Sequence, residues 1–308
     1  MMTILAPGTR PKFAALREAT SYIEERLIHM RSRISVPAVI LAFSISLAAQ
    51  SKPIRVGMIP DAGATQASVL EKAPLKAYLT KQLGQEVELV IPTNYNATVE
   101  AMGNGSLDFA YFGGLTYVKA HAQYGVIPLA QRTSDLEFHS LFITGANSTI
   151  KSLADLKGKD FVFGDINSTS GHLMPYSELK QAHVDVDKDL KSYRYSGSHP
   201  ATAKAVESGA ADAGAMDESV FNAMVAEGKL DKNKVRVFYT SKPFVDYVWA
   251  ARQGVDPAIQ EKFAQAFTRL KVGQDDAILK ILRGTAFVRA NDREYSLLRS
   301  VAQELKML

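Results

Sequence analysis

The stretch Gly164-Asp165-Ile166-Asn167-Ser168-Thr169-Ser170-Gly171-His172 connects an apolar run to an amphipathic segment. Residues 161–163 before it predict a short buried strand, and residues 173–182 after it predict a helix. A helix N-terminus leaves backbone N–H groups without partners and carries a partial positive charge. With three consecutive hydroxyl groups as further donors, the segment predicts a binding site for a tetrahedral oxyanion. The alternative is that these hydroxyls only cap the helix.

The composition limits the class of protein. Its 308 residues fit two domains at roughly 150 residues each. Cysteine is absent, which excludes disulfides, zinc-thiolate sites and thiol catalysis. Residues 1–51 carry six Lys/Arg and three acidic residues, so they hold +3 of the net charge of +4. The remaining chain is close to neutral and lacks the broad basic surface that nucleic-acid binding requires.

The N-terminal region predicts export. A basic stretch at 30–33 is followed by an uncharged apolar run at 34–47, and Ser46-Leu47-Ala48 offers the small residues of a cleavage site. These are the three parts of a secretory signal peptide. Residues 1–29 fit no such pattern, so we expect Met30 to be the true start. With no cysteine after the apolar run, a lipoprotein anchor is excluded, and the predicted location is the periplasm.

From residue 53 onward, strand and helix patterns alternate, which predicts mostly parallel sheets flanked by helices. An internal repeat lies within this pattern at an offset of 104 residues. In both copies a helix ends at a glycine and a short strand then begins with an aspartate. The matched positions are 96–101 with 200–205, Gly105 with Gly209, and Asp108 with Asp212.

The repeat predicts that Tyr95 and His199 occupy equivalent positions on two facing lobes. Each directly precedes a repeated helix, and Pro200 suits a first helical position, which makes His199 the expected N-cap. A matched pair facing the hydroxyl segment favours ligand contact over two unrelated surface residues. The predicted division is an extension plus signal peptide at 1–49, a first lobe at 53–144 and 244–308, and a second lobe at 145–243. Two crossings between lobes would form a hinge, and ligands bind in such clefts.

The chain resembles the periplasmic substrate-binding proteins of phosphonate, phosphite and hypophosphite ABC transporters over about residues 54–300. Its most specific motifs are Ser168-Thr169-Ser170 and Gly197-Ser198-His199. The resemblance implies an α/β, two-lobed type II periplasmic-binding-protein fold, each lobe a mostly parallel sheet flanked by helices, joined by a hinge with two crossovers. The other matching segments are VGMIPD at 56–61, LDFAYFG at 107–113 and LADLKGK at 153–159.

The resemblance also implies the site and the partners. The protein would capture a small phosphorus oxyanion and deliver it to a membrane permease and its ATPase, as a monomer, with no chemistry, cofactor or metal of its own. The hydroxyl segment would hold the P–O oxygens, with His199 and Tyr95 as further polar contacts, and an acid would accept from a P–OH proton or a ligand amine. The implied ligand-binding residues are Ser168, Thr169, Ser170, His199, Tyr95, Tyr111, Asp246, Asp217, Asp61 and Trp249.

The ligand subtype depends on what surrounds the oxyanion. An aminoalkyl phosphonate would need carboxylates for its ammonium, which Asp217, Glu218 or Asp246 could supply. Phosphite or hypophosphite would instead place P–H against aromatic faces, for which the candidates are Tyr111, Phe112, Tyr247 and Trp249, although core packing is the more ordinary role of Phe112. Similarity around the first strand and Tyr111 favours phosphite or hypophosphite, with methylphosphonate or 2-aminoethylphosphonate as the alternative.

Two other functions are weaker. A hydrolase acting on a phosphorus ester could be built from His172, His199, Asp217 and Ser170, but the sequence has no Gly-x-Ser-x-Gly elbow and no metal-binding spacing. A binding protein for sulfate, an amino acid or a vitamin could share the fold. Amino-acid binders pair the ligand carboxylate with a cleft arginine, and the apparent cleft-side arginines, Arg194 and Arg252, lie outside the hydroxyl segment.

Overall fold

The computed structural model describes residues 52–63 and 65–308, so the predicted extension and signal peptide lie outside the described residues. The strands in chain order are β1 Ile54–Met58, β2 Val87–Val90, β3 Phe109–Phe112, β4 Ile127–Arg132, β5 Ser140–Gly145, β6 Asp160–Phe163, β7 Ser192–Tyr195, β8 Ala213–Asp217, β9 Val235–Thr240, β10 Val248–Ala251 and β11 Phe287–Arg289. Within those ranges, no helix has both the length and the apolar character needed to span a membrane.

The helices flank the strands in the alternation that the sequence predicts. In chain order they are α1 Gln66–Glu71, α2 Ala73–Leu83, α3 Tyr95–Gly103, α4 Gly114–Tyr124, α5 Met174–Gln181, α6 His199–Glu207, α7 Glu218–Ala226, α8 Pro257–Thr268, α9 Asp276–Leu282 and α10 Ser296–Glu304. Leu75, Leu79 and Leu83 form the buried face of α2, and Gly84 ends that helix with a left-handed φ of 68°. A turn of π-helix at Thr169–Leu173 precedes α5.

The strands form two sheets, one in each lobe. The first has the order β11-β4-β10-β3-β1-β2, and the second has the order β7-β6-β8-β5-β9. The two-lobed α/β architecture is confirmed, but both sheets are mixed rather than mostly parallel. The reason is that β5 and β10, which the chain enters from the other lobe, run antiparallel to both of their neighbours.

The hinge consists of the segments 133–139 and 241–247, which connect the two sheets. They run side by side, because the N–H groups of Phe138 and Phe244 each donate to the other residue's carbonyl, at 2.8 and 2.9 Å. The second sheet begins with β5 at Ser140, five residues before the predicted boundary at 145. The early start follows from the pairing of β5, which lies between β8 and β9.

Each lobe has its own core. The first-lobe cluster is continuous over both faces of the sheet, includes the stacked rings of Phe109 and Phe263, whose centroids are 3.9 Å apart, and extends to Leu173 and Met174 of the second lobe. In the second lobe, separate clusters lie on the two faces, one under α5 and the other under α6 and α7. Each lobe contains a pair of parallel strands, β1 and β3 in the first and β6 and β8 in the second. The loops that follow the carboxyl ends of these strands carry the polar residues described next.

Candidate functional site

The hydroxyl segment is held in shape by its own backbone. The Ser168 Oγ accepts a hydrogen bond from the Gly171 N–H at 3.0 Å, so this hydroxyl caps the helical turn. The Gly164 N–H donates to the Gly171 carbonyl at 2.8 Å, which brings the two ends of the loop together. A Cβ on Gly171 would lie 3.0 Å from Gly164 Cα and 3.1 Å from His199 Cε1. Glycine at 171 thus allows the imidazole of His199 to lie against the loop.

The other two hydroxyls have different surroundings. The Thr169 Oγ1 accepts a hydrogen bond from the Leu115 N–H of the first lobe at 2.9 Å, and it lies beside the Asp246 carboxyl. Ser170 is 1% exposed, yet its hydroxyl makes no hydrogen bond with any residue that the structure describes. The capping interpretation therefore holds for Ser168 alone, and Ser170 keeps its hydrogen-bonding capacity for a ligand.

Tyr95 and His199 meet between the lobes. Their Oη and Nε2 atoms are 3.5 Å apart, and both side chains are buried. Asn94 caps α3 through its side chain, so Tyr95 is the first residue of that helix. The expectation that His199 caps α6 is wrong: Ser198 has the extended backbone of the N-cap, and His199 is the first helical residue. That position aims the imidazole into the site while the helix begins behind it.

One hydrogen bond sets the tautomer of His199. The Asp217 N–H donates to Nδ1 at 3.2 Å, so Nδ1 is an acceptor and the proton of the neutral ring is on Nε2. Burial lowers the pKa of His199, against the opposing attraction of Asp217 and Asp61, which keeps the ring neutral. Nε2 is therefore a fixed N–H donor directed into the site.

Asp217 is fully engaged. Its Oδ1 accepts from the Val220 N–H and the Ser219 hydroxyl, both at 2.7 Å, and its Oδ2 accepts from the Tyr247 hydroxyl at 2.6 Å. Burial opposes ionisation, but the charges of Arg283 and Arg132 and the hydrogen bond from Tyr247 reverse that effect, and the pKa of Asp217 is lowered. The carboxylate is ionised and caps α7, and each of its oxygens already accepts a hydrogen bond within the protein.

Asp246 has the opposite character. Its Oδ1 accepts from the Gly114 N–H at 2.8 Å, and the side chain is 1% exposed. Burial raises the pKa of Asp246 to about 8. The negative charge of Asp217 adds to this rise, and the hydrogen bond from Gly114 opposes it. At neutral pH most of this carboxyl is protonated, so it offers an O–H donor beside Thr169.

Asp61 lies in the loop after β1 and forms an ion pair with Arg283, while its carbonyl accepts from the His199 N–H at 3.3 Å. Arg283 was missed at the sequence level. So was Arg132, a fully buried arginine that pairs with Asp135 at the hinge and lies 4.9 Å from the Tyr247 ring centroid. A sequence marks neither, because an arginine before a glycine or at a strand end is ordinarily exposed.

The predicted aromatic residues lie in layers. Tyr111 stacks on Tyr247 at a centroid distance of 5.1 Å, and its buried hydroxyl has no hydrogen-bond partner among the described residues. Trp249 lies on the other side of Tyr111 at 4.8 Å and stacks on Phe267 in the first-lobe core. Trp249 and Phe112 are fully buried, and the rings that contact Trp249 are those of Tyr111, Phe263 and Phe267, all in the first lobe. Of these predicted rings, Tyr247 contacts the polar residues directly, because its hydroxyl donates to Asp217.

The remaining sequence candidates lie elsewhere. Arg194 is exposed on β7 and donates to the Ala210 carbonyl, and Arg252 pairs with Asp108 at 2.9 Å. Glu218 contacts His139. His172 donates from one ring nitrogen to the Ile166 carbonyl and meets the Tyr195 hydroxyl with the other, so it cannot serve Ser170 as a base. Within the described ranges, no cluster of side chains could hold a metal ion.

The lobes are closed on each other in this structure. Tyr95, Thr169, His199 and Asp217 are each at most 1% exposed. Direct hydrogen bonds cross between the lobes around them. They are Leu115 N to Thr169 Oγ1 at 2.9 Å, Lys119 Nζ to Asn167 Oδ1 at 2.7 Å, His199 N to the Asp61 carbonyl at 3.3 Å, Arg283 Nε to Ser219 Oγ at 3.2 Å and Lys180 Nζ to Glu304 Oε1 at 2.9 Å.

Comparison with known proteins gives a consistent result. A family model described as the periplasmic substrate-binding protein of a phosphonate ABC transporter matches residues 56–295. A probable ABC transporter phosphite binding protein, PhnD1 of Prochlorococcus marinus (strain MIT 9301), is 33% identical over 287 residues, which is 86% of this chain and 94% of the relative. The phosphate-import protein PhnD of Mycolicibacterium smegmatis is 30% identical over 210 residues, 64% of this chain and 65% of that protein.

Solved structures share the fold of this chain. PhnD1 from Prochlorococcus marinus in complex with methylphosphonate has a TM-score of 0.78 and 31% sequence identity, and the match covers 83% of this chain and 99% of that one. A binding protein component of an ABC phosphonate transporter from Pseudomonas aeruginosa has a TM-score of 0.75 at 20% identity, covering 83% and 87% of the two chains. The second likeness concerns the fold alone.

Proposed function

The chain belongs to the family of periplasmic substrate-binding proteins of phosphonate ABC transporters, and on that premise we propose that it captures a small reduced phosphorus oxyanion, phosphite or hypophosphite, between its lobes. Members of this family bind and deliver a substrate and are not enzymes. We propose that this protein is exported to the periplasm, acts as a monomer, and passes its ligand to a permease driven by an ATPase.

The observation that carries the proposal is the state of the polar groups at the site. The donors are available: the Ser170 hydroxyl has no partner in the described residues, His199 directs an N–H into the site, and the Asp246 carboxyl is largely protonated. Such fixed donors in a buried site suit P–O oxygens, because charge-assisted hydrogen bonds are strong where water is excluded.

The acceptors, in contrast, are occupied. Asp217 receives three hydrogen bonds, Asp61 pairs with Arg283, and Glu218 contacts His139. An aminoalkyl phosphonate would need an ionised carboxylate for its ammonium, and burying an unpaired ammonium is costly. The engaged carboxylates therefore favour a ligand without an amine over 2-aminoethylphosphonate.

The aromatic rings favour a ligand with P–H bonds. Tyr95 and Tyr247 are buried beside His199 and Asp217, and Tyr111 stacks behind Tyr247. A P–H group needs no hydrogen-bond partner, so it can face an aromatic wall. Phosphate would place a further oxygen there and lose about 1–3 kcal/mol for each group left unpaired.

Methylphosphonate is the second candidate, because the similar Prochlorococcus marinus structure is a complex with that compound. A P–CH3 group would meet the same aromatic wall as a P–H group. The two ligands differ in size, so the space in front of Tyr247 decides between them.

Titration of the exported protein tests the proposal. The ligands are hypophosphite, phosphite, methylphosphonate, 2-aminoethylphosphonate, phosphate and sulfate. Isothermal titration calorimetry gives the affinity for each ligand. Tight binding of phosphite or hypophosphite with rejection of phosphate supports the proposal. Preference for methylphosphonate selects the second candidate, and failure of all six ligands refutes the ligand assignment while leaving the fold intact.

A further inference from the structure

Arg283 occupies an unusual position at the cleft. It directly follows α9 with a φ of 53°, in the left-handed region that non-glycine residues rarely adopt. From this turn of the first lobe its guanidinium reaches in two directions. Nη2 pairs with the Asp61 carboxylate of the same lobe, and Nε donates to the Ser219 hydroxyl of the second lobe at 3.2 Å.

A fully buried arginine, Arg132, fixes the turn that carries Arg283. Arg132 Nη1 donates to the carbonyls of Leu282 and Arg283, both at 3.2 Å. The next residue, Gly284, leaves room for this contact, since a Cβ there would lie 2.9 Å from Arg132 Cδ. The strained backbone of Arg283 is thus held from behind by the hinge arginine, which Asp135 in turn pairs and orients.

The charges around the site explain why such a device is needed. Asp61 and Asp217 are acidic groups beside a site that takes an anion, and Asp165 lies near the Tyr95 N–H. Arg283 pairs with Asp61 and also donates a hydrogen bond to the Ser219 hydroxyl. That hydroxyl in turn donates to Asp217, so Ser219 links the arginine to the second carboxylate. Without a cation there, two carboxylates would repel the ligand in a buried environment where screening is weak.

We propose that Arg283 is the positioning residue of the closed state, a clasp that joins Asp61 of the first lobe to Ser219 of the second, and through Ser219 to Asp217, and that offsets part of their negative charge for an anionic ligand. The clasp can form only when the lobes meet, because its two partners lie in different lobes. It rests on the proposed function in one respect, that the bound ligand is an anion.

The first test is the dissociation rate of whichever of the six oxyanions binds most tightly. Arg283→Gln removes the charge and both contacts, and we expect ligand release to accelerate by at least about 30-fold, as expected when one partner of a buried charge pair is truncated. Arg283→Lys keeps the charge without the two-pronged geometry and should fall between Arg283→Gln and the parent. Ser219→Ala keeps the Arg283–Asp61 pair but removes the contact to the second lobe together with the Ser219–Asp217 hydrogen bond, with an expected acceleration of about 3–10-fold.

A double variant separates the clasp from a general loss of structure. In Arg283→Gln/Asp61→Asn the carboxylate left unpaired is also removed, so binding should recover at least about fivefold relative to Arg283→Gln. A purely structural role predicts further weakening instead. Arg289→Gln is the matched control, because Arg289 pairs with Glu261 on the exposed outer side of the same lobe, and it should change the rate by less than about twofold.

The distance between the lobes gives a readout without ligand. The chain has no native cysteine, so spin labels at the exposed positions Lys81→Cys and Lys232→Cys, one in each lobe, report opening. We expect Arg283→Gln to shift the distances toward the open state, and Arg289→Gln to leave them unchanged.

The outcomes distinguish the clasp from the proposed function. If the parent protein binds an oxyanion and Arg283→Gln releases it at the parent rate, the clasp is wrong and the function stands. If the parent binds none of the six, the proposed function fails, and the clasp stands or falls on whether Arg283→Gln opens the lobes.

Discussion

Two segments, one in each lobe, follow the same path 104 residues apart. In the first lobe, the Asp108 carboxylate accepts from the Arg55 N–H at 3.0 Å, and the Asp108 N–H donates to the Arg55 carbonyl at 2.8 Å. In the second, Asp212 makes the same two contacts with Asp160, at 2.9 and 3.0 Å. The aspartate of the repeat thus ties the edge of one strand to the start of its parallel neighbour in both lobes.

The helix ends match as well, since Gly105 and Gly209 have φ values of 74° and 76°. The structural equivalence predicted from the repeat is confirmed. At the N-terminal end of the same helices the two copies differ. The first helical residue is Tyr95 in the first lobe and His199 in the second. The frame is common to both lobes, while the residue that faces the ligand site differs, so the lobes contribute unequal chemistry from equal positions.

Removing the imidazole should produce the largest effect on this pairing. His199→Ala deletes the fixed Nε2–H donor and leaves the Asp217 N–H without its acceptor. A hydrogen bond to a charged group contributes about 1.5–3 kcal/mol, and an unsatisfied buried donor adds about 1–3 kcal/mol. We expect affinity for the oxyanion to fall about 100-fold or more, measured by calorimetry. His183→Ala, an exposed histidine of the same lobe, is the control, and equal effects of the two substitutions would contradict the site.

The hydroxyl segment should divide into a binding residue and a capping residue. Ser170→Ala is expected to weaken binding about 10–100-fold with little change in melting temperature, since that hydroxyl has no partner among the described residues. Ser168→Ala is expected to cost about 1 kcal/mol of folding stability, because it removes the cap on the Gly171 N–H.

Calorimetry and thermal melts on the same two variants give both quantities. Arg252→Ala should leave binding near the parent value, because Arg252 pairs with Asp108 away from the loop. If Arg252→Ala abolished binding while Ser170→Ala did not, the oxyanion site would be wrong.

Asp246, which joins the helix start of one lobe to the hydroxyl segment of the other, should give the closed protein a characteristic pH dependence. Its pKa is raised from 3.8 to about 8 in the folded protein. Its favourable contribution is complete below about pH 4 and is lost as the pH rises through 8, because the folded state binds the proton more tightly than the unfolded state does. Thermal melts should therefore show stability falling between pH 5 and 8. Asp246→Asn should flatten that slope, and an unchanged slope would refute the assignment.

The repeat, the amphipathic helix α2 and the hydroxyl segment could be predicted because each is a local pattern. Tyr95 and His199 could be predicted as a pair because they occupy the same position in the two copies of the repeat, and the structure brings them into contact. The alternation of strands and helices predicted mostly parallel sheets. It could not reveal the antiparallel direction of β5 and β10, because the chain enters these strands from the other lobe.

Other features depend on burial and long-range contact, which no local pattern encodes. Arg132 and Arg283 lie 151 residues apart and meet only in the folded protein. Trp249 was predicted at the site, but its ring stacks on Phe267 in the core of the first lobe, a contact that no local pattern encodes. The roles of Asp217 and Asp246 differ because their hydrogen bonds differ, which composition cannot reveal.

The smallest effect should come from the first-lobe member of the pair. The Tyr95 hydroxyl lies 3.5 Å from His199 Nε2, at the limit of a hydrogen bond, so Tyr95→Phe keeps the ring and removes one weak polar contact. We expect affinity to fall about 3–10-fold, corresponding to about 1 kcal/mol for a neutral hydrogen bond. Tyr124→Phe, which removes an exposed hydroxyl bonded to Glu100, is the matched control and should change affinity by less than about twofold. A loss of affinity as large as that of His199→Ala would contradict this expectation. It would mean that the two helix starts contribute equally to ligand binding although their residues differ.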